Sequence, residues 1–277
     1  MKSSLLGSLG PGKEYRILQQ GYHNVQFSLG EHRFSQESLA KAKELWVKAP
    51  GKFDGTLMGV TKITEQKGTV HIEVVPMQYS LFRYIAKCRK ENIPLEKRDE
   101  IFPIGIASVS YYTDKAGKRY FLMGIKGAGH IEEGKLEFVP QGFCNPPESK
   151  DMKTYVIDSI NRELQEELTV EGQKKPRIKF KKVENLALII EDSASDYALQ
   201  VECEIATNGK FPYDGITTEE HERILMVSES ELEQVLEDPT TFVQRKTPDL
   251  KKKSIEIQNS TRALAFSYLA KHKSRFS

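Results

Sequence analysis

The stretch from Gly142 to Val170 has the sequence GFCNPPESKDMKTYVIDSINRELQEELTV and contains the most informative pattern in the chain. Its second half places apolar side chains at intervals of four residues: Val156, Ile160, Leu164 and Leu168. Side chains with this spacing lie on one face of a helix, so the pattern predicts a helix with a buried stripe. Three glutamates stand beside the stripe within about one helical turn: Glu163, Glu166 and Glu167.

The three glutamates repel one another by roughly a few tenths of a kcal/mol for each close pair. A helix gains no stability from clustering carboxylates on a partly covered face, whereas a bound divalent cation explains the cluster. Carboxylate oxygens without a thiolate or a nearby histidine select a hard cation, and Mg²⁺ suits this set better than zinc. Taken alone, the same string of charges is equally typical of a solvated helix face.

This stretch resembles the Nudix box, whose pattern is a glycine, five residues, a glutamate, seven residues, and then Arg-Glu-aliphatic-X-Glu-Glu-X-Gly-aliphatic. Gly142 and Glu148 match its opening, while residues 162–167 and Val170 match its close. Thr169 stands where the pattern has its last glycine, and six residues are inserted between Glu148 and Arg162. The insertion, together with an additional N-terminal region, is similar to the UDP-glucose-hydrolysing subgroup of the family.

The resemblance implies an α/β (α+β) fold, a Nudix-type α/β/α sandwich with a mixed sheet. It also implies a hydrolase acting on phosphoanhydride bonds: a Mg²⁺-dependent pyrophosphatase that splits a nucleoside-diphosphate-X substrate into two phosphomonoesters. A nucleotide sugar is one candidate substrate, and Mn²⁺ is the alternative metal. The partner expected from the resemblance is therefore a small-molecule nucleoside diphosphate derivative.

The resemblance also implies roles for particular residues. The metal ligands would be Glu163, Glu166 and Glu167, and Arg162 would orient them through charged hydrogen bonds. Gly142 would let the backbone turn sharply beside the metal, and Glu148 would add a supporting hydrogen bond. A later loop would supply one more carboxylate, for which the candidates are Glu219, Glu220 and Glu222, with the first two preferred.

The remaining sequence predicts three regions. Residues 1–100 form a small α/β region with a helix capped by Ser35, a hairpin over residues 56–75 and a helix through residues 81–88. We expect it to cover part of the substrate pocket. Residues 101–240 form the Nudix domain, in which Ser228 and Glu231 make a capping box before a helix. Residues 241–277 contain a C-terminal helix that packs on this domain.

Charge, cysteine content and hydrophobicity indicate which kinds of protein the sequence does not resemble. The 41 basic and 39 acidic residues give a net charge of +2, which does not favour a nucleic-acid partner or a membrane surface. The three cysteines are far apart and odd in number, so neither a disulfide framework nor a zinc site is indicated. With no apolar stretch long enough for a membrane span, we expect a cytoplasmic protein. A homo-oligomer stays open.

The sequence leaves two alternatives to a small-molecule pyrophosphatase open. The departures from the box, Thr169 and the insertion, allow a Nudix-fold ligand-binding or regulatory module without turnover, because a fold does not guarantee an activity. The basic segment of residues 174–182 has six positive and no negative charges. It is typical either of a solvated strand edge or of a surface that faces phosphate or RNA, as in a decapping-type hydrolase.

Overall fold

Thirteen strands and six α-helices are defined in the computed structural model, which describes residues 15–48, 54–128, 133–146, 152–170, 179–192, 196–206, 216–218, 220–250 and 254–272. The strands are β1 (Tyr15–Gln20), β2 (Asn24–Leu29), β3 (Thr56–Gln66), β4 (Thr69–Gln78), β5 (Phe102–Thr113), β6 (Arg119–Lys126), β7 (Leu136–Phe138), β8 (Gln141–Phe143), β9 (Thr169–Val170), β10 (Phe180–Glu191), β11 (Asp196–Ile205), β12 (Ile216–Thr217) and β13 (His221–Ser228). The helices are α1 (Gln36–Val47), α2 (Tyr79–Lys90), α3 (Met152–Glu167), α4 (Leu232–Glu237), α5 (Pro239–Lys246) and α6 (Asn259–Lys271).

Eleven of these strands form one mixed sheet, with the order β1-β10-β11-β5-β3-β4-β2 along its main path. Strand β5 also pairs with β8 and β6, and β6 pairs in turn with β7 and β13. The β11–β5 and β2–β4 pairs are parallel, whereas the other pairs of this sheet are antiparallel. Because β5 pairs with four other strands along its length, it connects the N-terminal strands to the strands of the box.

The two faces of β5 pack against different helices. Its alternate residues Ile104 and Ile106 share a core with Val156 and Ile160 of α3. Side chains of the other face pack with α4, α5 and α6: Ala107, Val109 and Tyr111. Since side chains alternate across a strand, α3 and the C-terminal helices lie on opposite faces of this sheet. The structure therefore has helices on both sides of a mixed sheet, as expected for the fold class.

The N-terminal strands continue this sheet. Strand β3 pairs with the start of β5 through Gly59–Pro103 and Val60–Phe102. Side chains of the N-terminal strands also join the core under α3: Val25, Met58, Val60, Val70, Ile72 and Val74. Residues on both sides of the expected boundary near position 100 thus share one sheet and one core.

Local patterns explain most of the elements. The hydroxyl oxygen of Ser35 accepts a hydrogen bond from the backbone N–H of Ser38 at 3.1 Å and caps α1, as predicted. The predicted buried stripe is confirmed: Val156, Ile160 and Leu164 of α3 are buried, and so is Leu168 directly after the helix. The capping box of Ser228 and Glu231 is also present, although it opens a single 3₁₀ turn over Glu229–Glu231 before α4 begins. None of the helices in the described ranges has the length and apolar character to cross a membrane.

Candidate active site

Gly142 lies directly against the helix of the box. It is the middle residue of β8 and pairs with Ile106 of β5. A Cβ atom at this position would overlap the carboxylate of Glu163 on α3. The expectation of a sharp backbone turn at Gly142 is wrong, because the residue is in a strand and has no positive φ. The glycine is required here because any side chain would displace Glu163.

Glu163 and Glu167 lie one turn apart on α3 and both are buried, with 8% and 3% of their surface exposed. Glu167 accepts a hydrogen bond at Oε1 from the backbone N–H of Gln141 at 2.9 Å. Its Oε2 has no hydrogen-bond partner within the described residues. The two carboxylates therefore face β8 from one side of the helix, and one buried oxygen atom is left for a ligand.

Arg162 links the buried and the exposed carboxylates of α3. Its Nη2 donates to Glu163 Oε1 at 2.8 Å and to the carbonyl oxygen of Phe143 at 3.4 Å. Its Nε lies 3.7 Å from Oε1 of Glu166, whose side chain is 63% exposed. Arg162 thus ties the helix to the strand that holds Gly142. The side chain of Glu166 is mostly exposed, yet its charge is close enough to contribute to the raised pKa of Glu163.

A second charged cluster adjoins the first, formed by Lys126, Glu137, Glu220 and His221. The Nζ of Lys126 lies 2.9 Å from Oε1 of Glu137 and 2.9 Å from Oε2 of Glu220. Oε1 of Glu137 is also 2.6 Å from Nε2 of His221. Of the later-loop candidates, Glu220 is thus brought to the site. Glu222 lies exposed on β13, and both Glu219 and Glu148 lie outside the described residues.

The electrostatics couple the two clusters. Burial raises the pKa of Glu167 well above its ordinary value, and the nearby charge of Glu137 adds to the effect. Burial also raises the pKa of Glu163, and Glu220 contributes to the raised pKa of both residues. Burial alone would raise the pKa of Glu137 too, but His221 and Lys126 hold it below its usual range. The site therefore concentrates negative charge that lacks a full set of partners.

The donor chemistry of this site suits a hard divalent cation. The buried Oε2 of Glu167 is unsatisfied, and the carboxylate of Glu220 lies near enough to raise the pKa of both Glu167 and Glu163. Such oxygen donors are those that Mg²⁺ and Mn²⁺ take. As the side chains stand, no three His, Cys, Asp or Glu residues in the described ranges form a ready metal-binding group.

Three members of the second cluster were missed by sequence reasoning: Lys126, Glu137 and His221. Glu137 had a recognisable feature, because it is a charged residue inside the short apolar strand Leu-Glu-Phe-Val (residues 136–139). A buried charge of this kind needs a partner. The partners themselves could not be identified, since His221 is 84 residues away along the chain.

No protein-family model matches this sequence, and no curated protein matches it. Among solved structures, the chain is similar to a Nudix hydrolase from M. smegmatis, with a TM-score of 0.38 and 9% identity over 64% of this chain and 91% of the other. It is also similar to a C. elegans Ap4A hydrolase, with a TM-score of 0.32 and 16% identity over 61% and 98% of the two chains. An ADP compounds hydrolase gives a TM-score of 0.35 and 14% identity over 81% and 98%. At such scores the similarity establishes no activity, so the site residues must support any functional inference.

Proposed function

We propose that this chain is a Nudix hydrolase, a Mg²⁺-dependent pyrophosphatase that converts a nucleoside-diphosphate-X substrate to two phosphomonoesters. The observation that supports this most is the convergence of Gly142, Arg162, Glu163 and Glu167. The six inserted residues separate the two halves of the box in the sequence, yet the glycine of one half contacts the first glutamate of the other.

The ion would be held by Glu163, Glu166 and Glu167, with Glu220 at the edge of the site. When bound, it supplies positive charge that offsets the diphosphate oxygens and activates water for attack. Arg162 keeps Glu163 oriented through its 2.8 Å hydrogen bond, and the Gln141 N–H does the same for Glu167. These contacts fix two carboxylates before substrate arrives, so little reorganisation is needed during the reaction.

We assign Glu220 to the edge of the ion as a further oxygen donor. Its Oε2 is occupied by Lys126, which leaves Oε1 available to the ion. Its side chain is 42% exposed, so the attacking water at this edge can pass its proton to solvent. The water oxygen bonds to one phosphorus, the bridging oxygen leaves with the other phosphate, and each product is a phosphomonoester.

We also propose that the N-terminal region covers part of the substrate pocket. Phe143 follows Gly142 directly, and its ring packs against Phe82 and Tyr79 of α2 at centroid distances of 5.2 and 6.3 Å. Tyr79 in turn contacts Trp46 of α1 at 5.7 Å. Aromatic side chains from α1 and α2 therefore extend to the strand that carries the glycine of the site.

The partner and the compartment follow from the same features. A small-molecule nucleoside diphosphate derivative fits a site of this composition, and nucleotide sugars are tested first because of the inserted box. The three cysteines are free and buried, which suits a reducing compartment, and we keep the cytoplasm as the proposed location. Part of the basic segment is paired with acidic neighbours, Lys181 with Glu204 and Lys182 with Glu184, which gives no support to an RNA-facing surface.

A binding module without turnover is the second candidate. The exposure of Glu166, together with the absence of a ready three-donor group among the described side chains, favours it. The two functions differ in one measurement, the release of product.

The deciding experiment is a substrate panel with Mg²⁺: UDP-sugars, ADP-ribose, NAD, dinucleoside polyphosphates and capped RNA. We expect turnover of a nucleotide sugar or a similar diphosphate to two monophosphates. Glu167→Gln should lower this turnover by several orders of magnitude, while Glu237→Gln on the exposed end of α4 serves as the control. Ligand binding without hydrolysis at high protein concentration would favour the binding module. Retained activity in Glu167→Gln would remove that residue from the site.

A further inference from the structure

Glu137 is a buried carboxylate that the pattern of the box does not assign to any role. It is 3% exposed and lies on β7, between two fully buried apolar neighbours. Its Oε1 accepts hydrogen bonds from Nζ of Lys126 at 2.9 Å and from Nε2 of His221 at 2.6 Å. Two charge-assisted or strong hydrogen bonds to one buried oxygen offset the cost of burying this charge.

Each donor to Glu137 also leads to Glu220. The first connection is direct, because Nζ of Lys126 donates a second hydrogen bond, to Oε2 of Glu220 at 2.9 Å. Only 15% of the Lys126 side chain is exposed. This ammonium group therefore has little freedom to leave the space between the two carboxylates.

The second connection runs through the backbone. Nδ1 of His221 lies 3.3 Å from the hydroxyl oxygen of Thr218. That hydroxyl oxygen accepts hydrogen bonds from the backbone N–H groups of Glu220 at 3.1 Å and His221 at 3.3 Å. In the neutral imidazole, donation from Nε2 of His221 to Glu137 leaves Nδ1 to accept the Thr218 hydroxyl hydrogen. One buried anion thus orders the backbone N–H groups of Glu220 and His221.

The surrounding strand is shaped for this arrangement. A Cβ atom at Gly124 of β6 would overlap the ring of His221. The backbone N–H of Gly127, just after β6, donates to the carbonyl oxygen of Glu220 at 2.8 Å. The His221 ring and the backbone of Glu220 are therefore both held by residues of β6 or directly after it.

We propose that Glu137 is a positioning residue that holds Glu220 at the edge of the metal site, through Lys126 and through the His221–Thr218 pair. The inference rests on the proposed function, since it takes the metal to be bound by the glutamates of α3 with Glu220 as a further donor at its edge. Glu137 touches neither substrate nor metal in this scheme and acts only through Glu220.

The test is a double-mutant cycle on Mn²⁺ binding, measured by electron paramagnetic resonance in the absence of any substrate. The proteins are wild type, Glu137→Gln, Glu220→Gln and the double variant. We expect Glu137→Gln to weaken Mn²⁺ binding by about 10-fold, the size usual for groups that orient metal ligands. The Mn²⁺ affinity of the double variant should match that of Glu220→Gln to within about twofold, because the carboxylate that Glu137 positions is already absent.

Several results would overturn the proposal. If Glu137 has a merely structural role, the losses of Mn²⁺ affinity caused by Glu137→Gln and by Glu220→Gln should multiply in the double variant. Unchanged Mn²⁺ affinity in Glu137→Gln would exclude a role of Glu137 in the site. A wild-type chain that binds no Mn²⁺ would exclude it as well. If Glu137→Gln does not fold, Lys126→Met breaks the direct connection alone and should show the same dependence on Glu220.

Hydrolysis of the diphosphate panel, followed in parallel, separates this inference from the proposed function. Coupled Mn²⁺ effects without turnover would leave the positioning role standing and end the hydrolase assignment. Turnover in the wild type, combined with effects of the two substitutions on Mn²⁺ affinity that simply multiply, would support the hydrolase assignment and end the positioning role.

Discussion

The missing side chain of Gly142 makes the space that the carboxylate of Glu163 occupies. The two residues belong to different elements, β8 and α3, and a Cβ atom on the strand would overlap the glutamate on the helix. Glu163 is also fixed by Arg162, which bonds in turn to the carbonyl oxygen of Phe143 beside the glycine. The position of one carboxylate therefore depends on a strand residue, a helix residue and the arginine between them.

Gly142→Ala should displace Glu163 and lower turnover by at least about 100-fold, on the scale by which small misplacements in a site reduce rates. It should also lower the thermal unfolding temperature. If the overlap with Glu163 is the cause, Glu163→Ala in the Gly142→Ala background should restore stability but not activity. Thermal unfolding and steady-state kinetics on the four proteins measure this. No recovery of stability in the double variant would show that the alanine clashes elsewhere.

Glu167→Gln should stabilise the metal-free protein at neutral pH, because the amide carries no charge where the carboxylate would have to bury one. The pKa of Glu167 is raised in the folded state, chiefly by burial, so ionising this carboxylate opposes folding. The gain should therefore disappear as the pH falls toward about 4, where the glutamate is protonated in both states. Urea unfolding in EDTA across this pH range measures it, and added Mg²⁺ should stabilise only the wild type. A variant less stable than wild type in EDTA would contradict the reasoning.

Arg162→Ala should reduce kcat and Mn²⁺ affinity by about 10–100-fold, because it removes the hydrogen bond that orients Glu163. Arg162→Lys keeps the charge but cannot reach Glu163 and the Phe143 carbonyl with one planar group, so it should recover only part of the loss. Lys181→Ala, which removes an exposed cation paired with Glu204, is the control for a change in surface charge. Equal activity in Arg162→Lys and wild type would show that charge alone matters at this position.

The sequence predicted those parts of the fold and of the site that depend on local spacing. The stripe on α3 and the capping by Ser35 follow from residues within a few positions of one another, and both are present. The contact between Glu137 and His221 depends on the pairing of β6 with β7 and β13, which no local pattern reveals. Strands β1 and β2 were not predicted either. Strand β2 does alternate polar and apolar residues, so its pattern was available in the sequence. In β1 the burial alternates, but the exposed Leu18 and the half-buried Gln19 hide that alternation in the sequence.

Lowering the pH should weaken the attachment of the C-terminal helix α6 to strand β11. Glu202 of β11 is buried and accepts hydrogen bonds from Lys271 at 2.8 Å and His272 at 2.9 Å at the end of α6, and from Tyr111 at 3.1 Å. Lys271 also pairs with Glu184. Burial alone would raise the pKa of Glu202, but Lys271 and His272 lower it overall.

A lowered pKa stabilises the fold above the unfolded value of about 4.3, and this contribution is lost as the pH falls through the folded value. Glu202→Gln should therefore be less stable than wild type by about 1–3 kcal/mol at pH 7. The difference should shrink below about pH 4. Urea unfolding between pH 7 and pH 3 measures this, with Glu237→Gln as the control. A difference that does not change with pH would show that packing, not charge, makes Glu202 important.

The N-terminal region cannot be tested by deletion, because its strands share a core with α3 and pair with β5. Removing residues 1–95 would expose that core, so point variants are needed. Tyr79→Leu should raise KM several-fold with little change in kcat, since the ring packs beside Phe143 and Trp46 but touches none of the site carboxylates that the structure describes. Tyr84→Phe, a neighbour on α2 outside this aromatic group, is the control. Unchanged KM in Tyr79→Leu, with the fold intact by circular dichroism, would place the substrate elsewhere and leave these helices with a purely structural role.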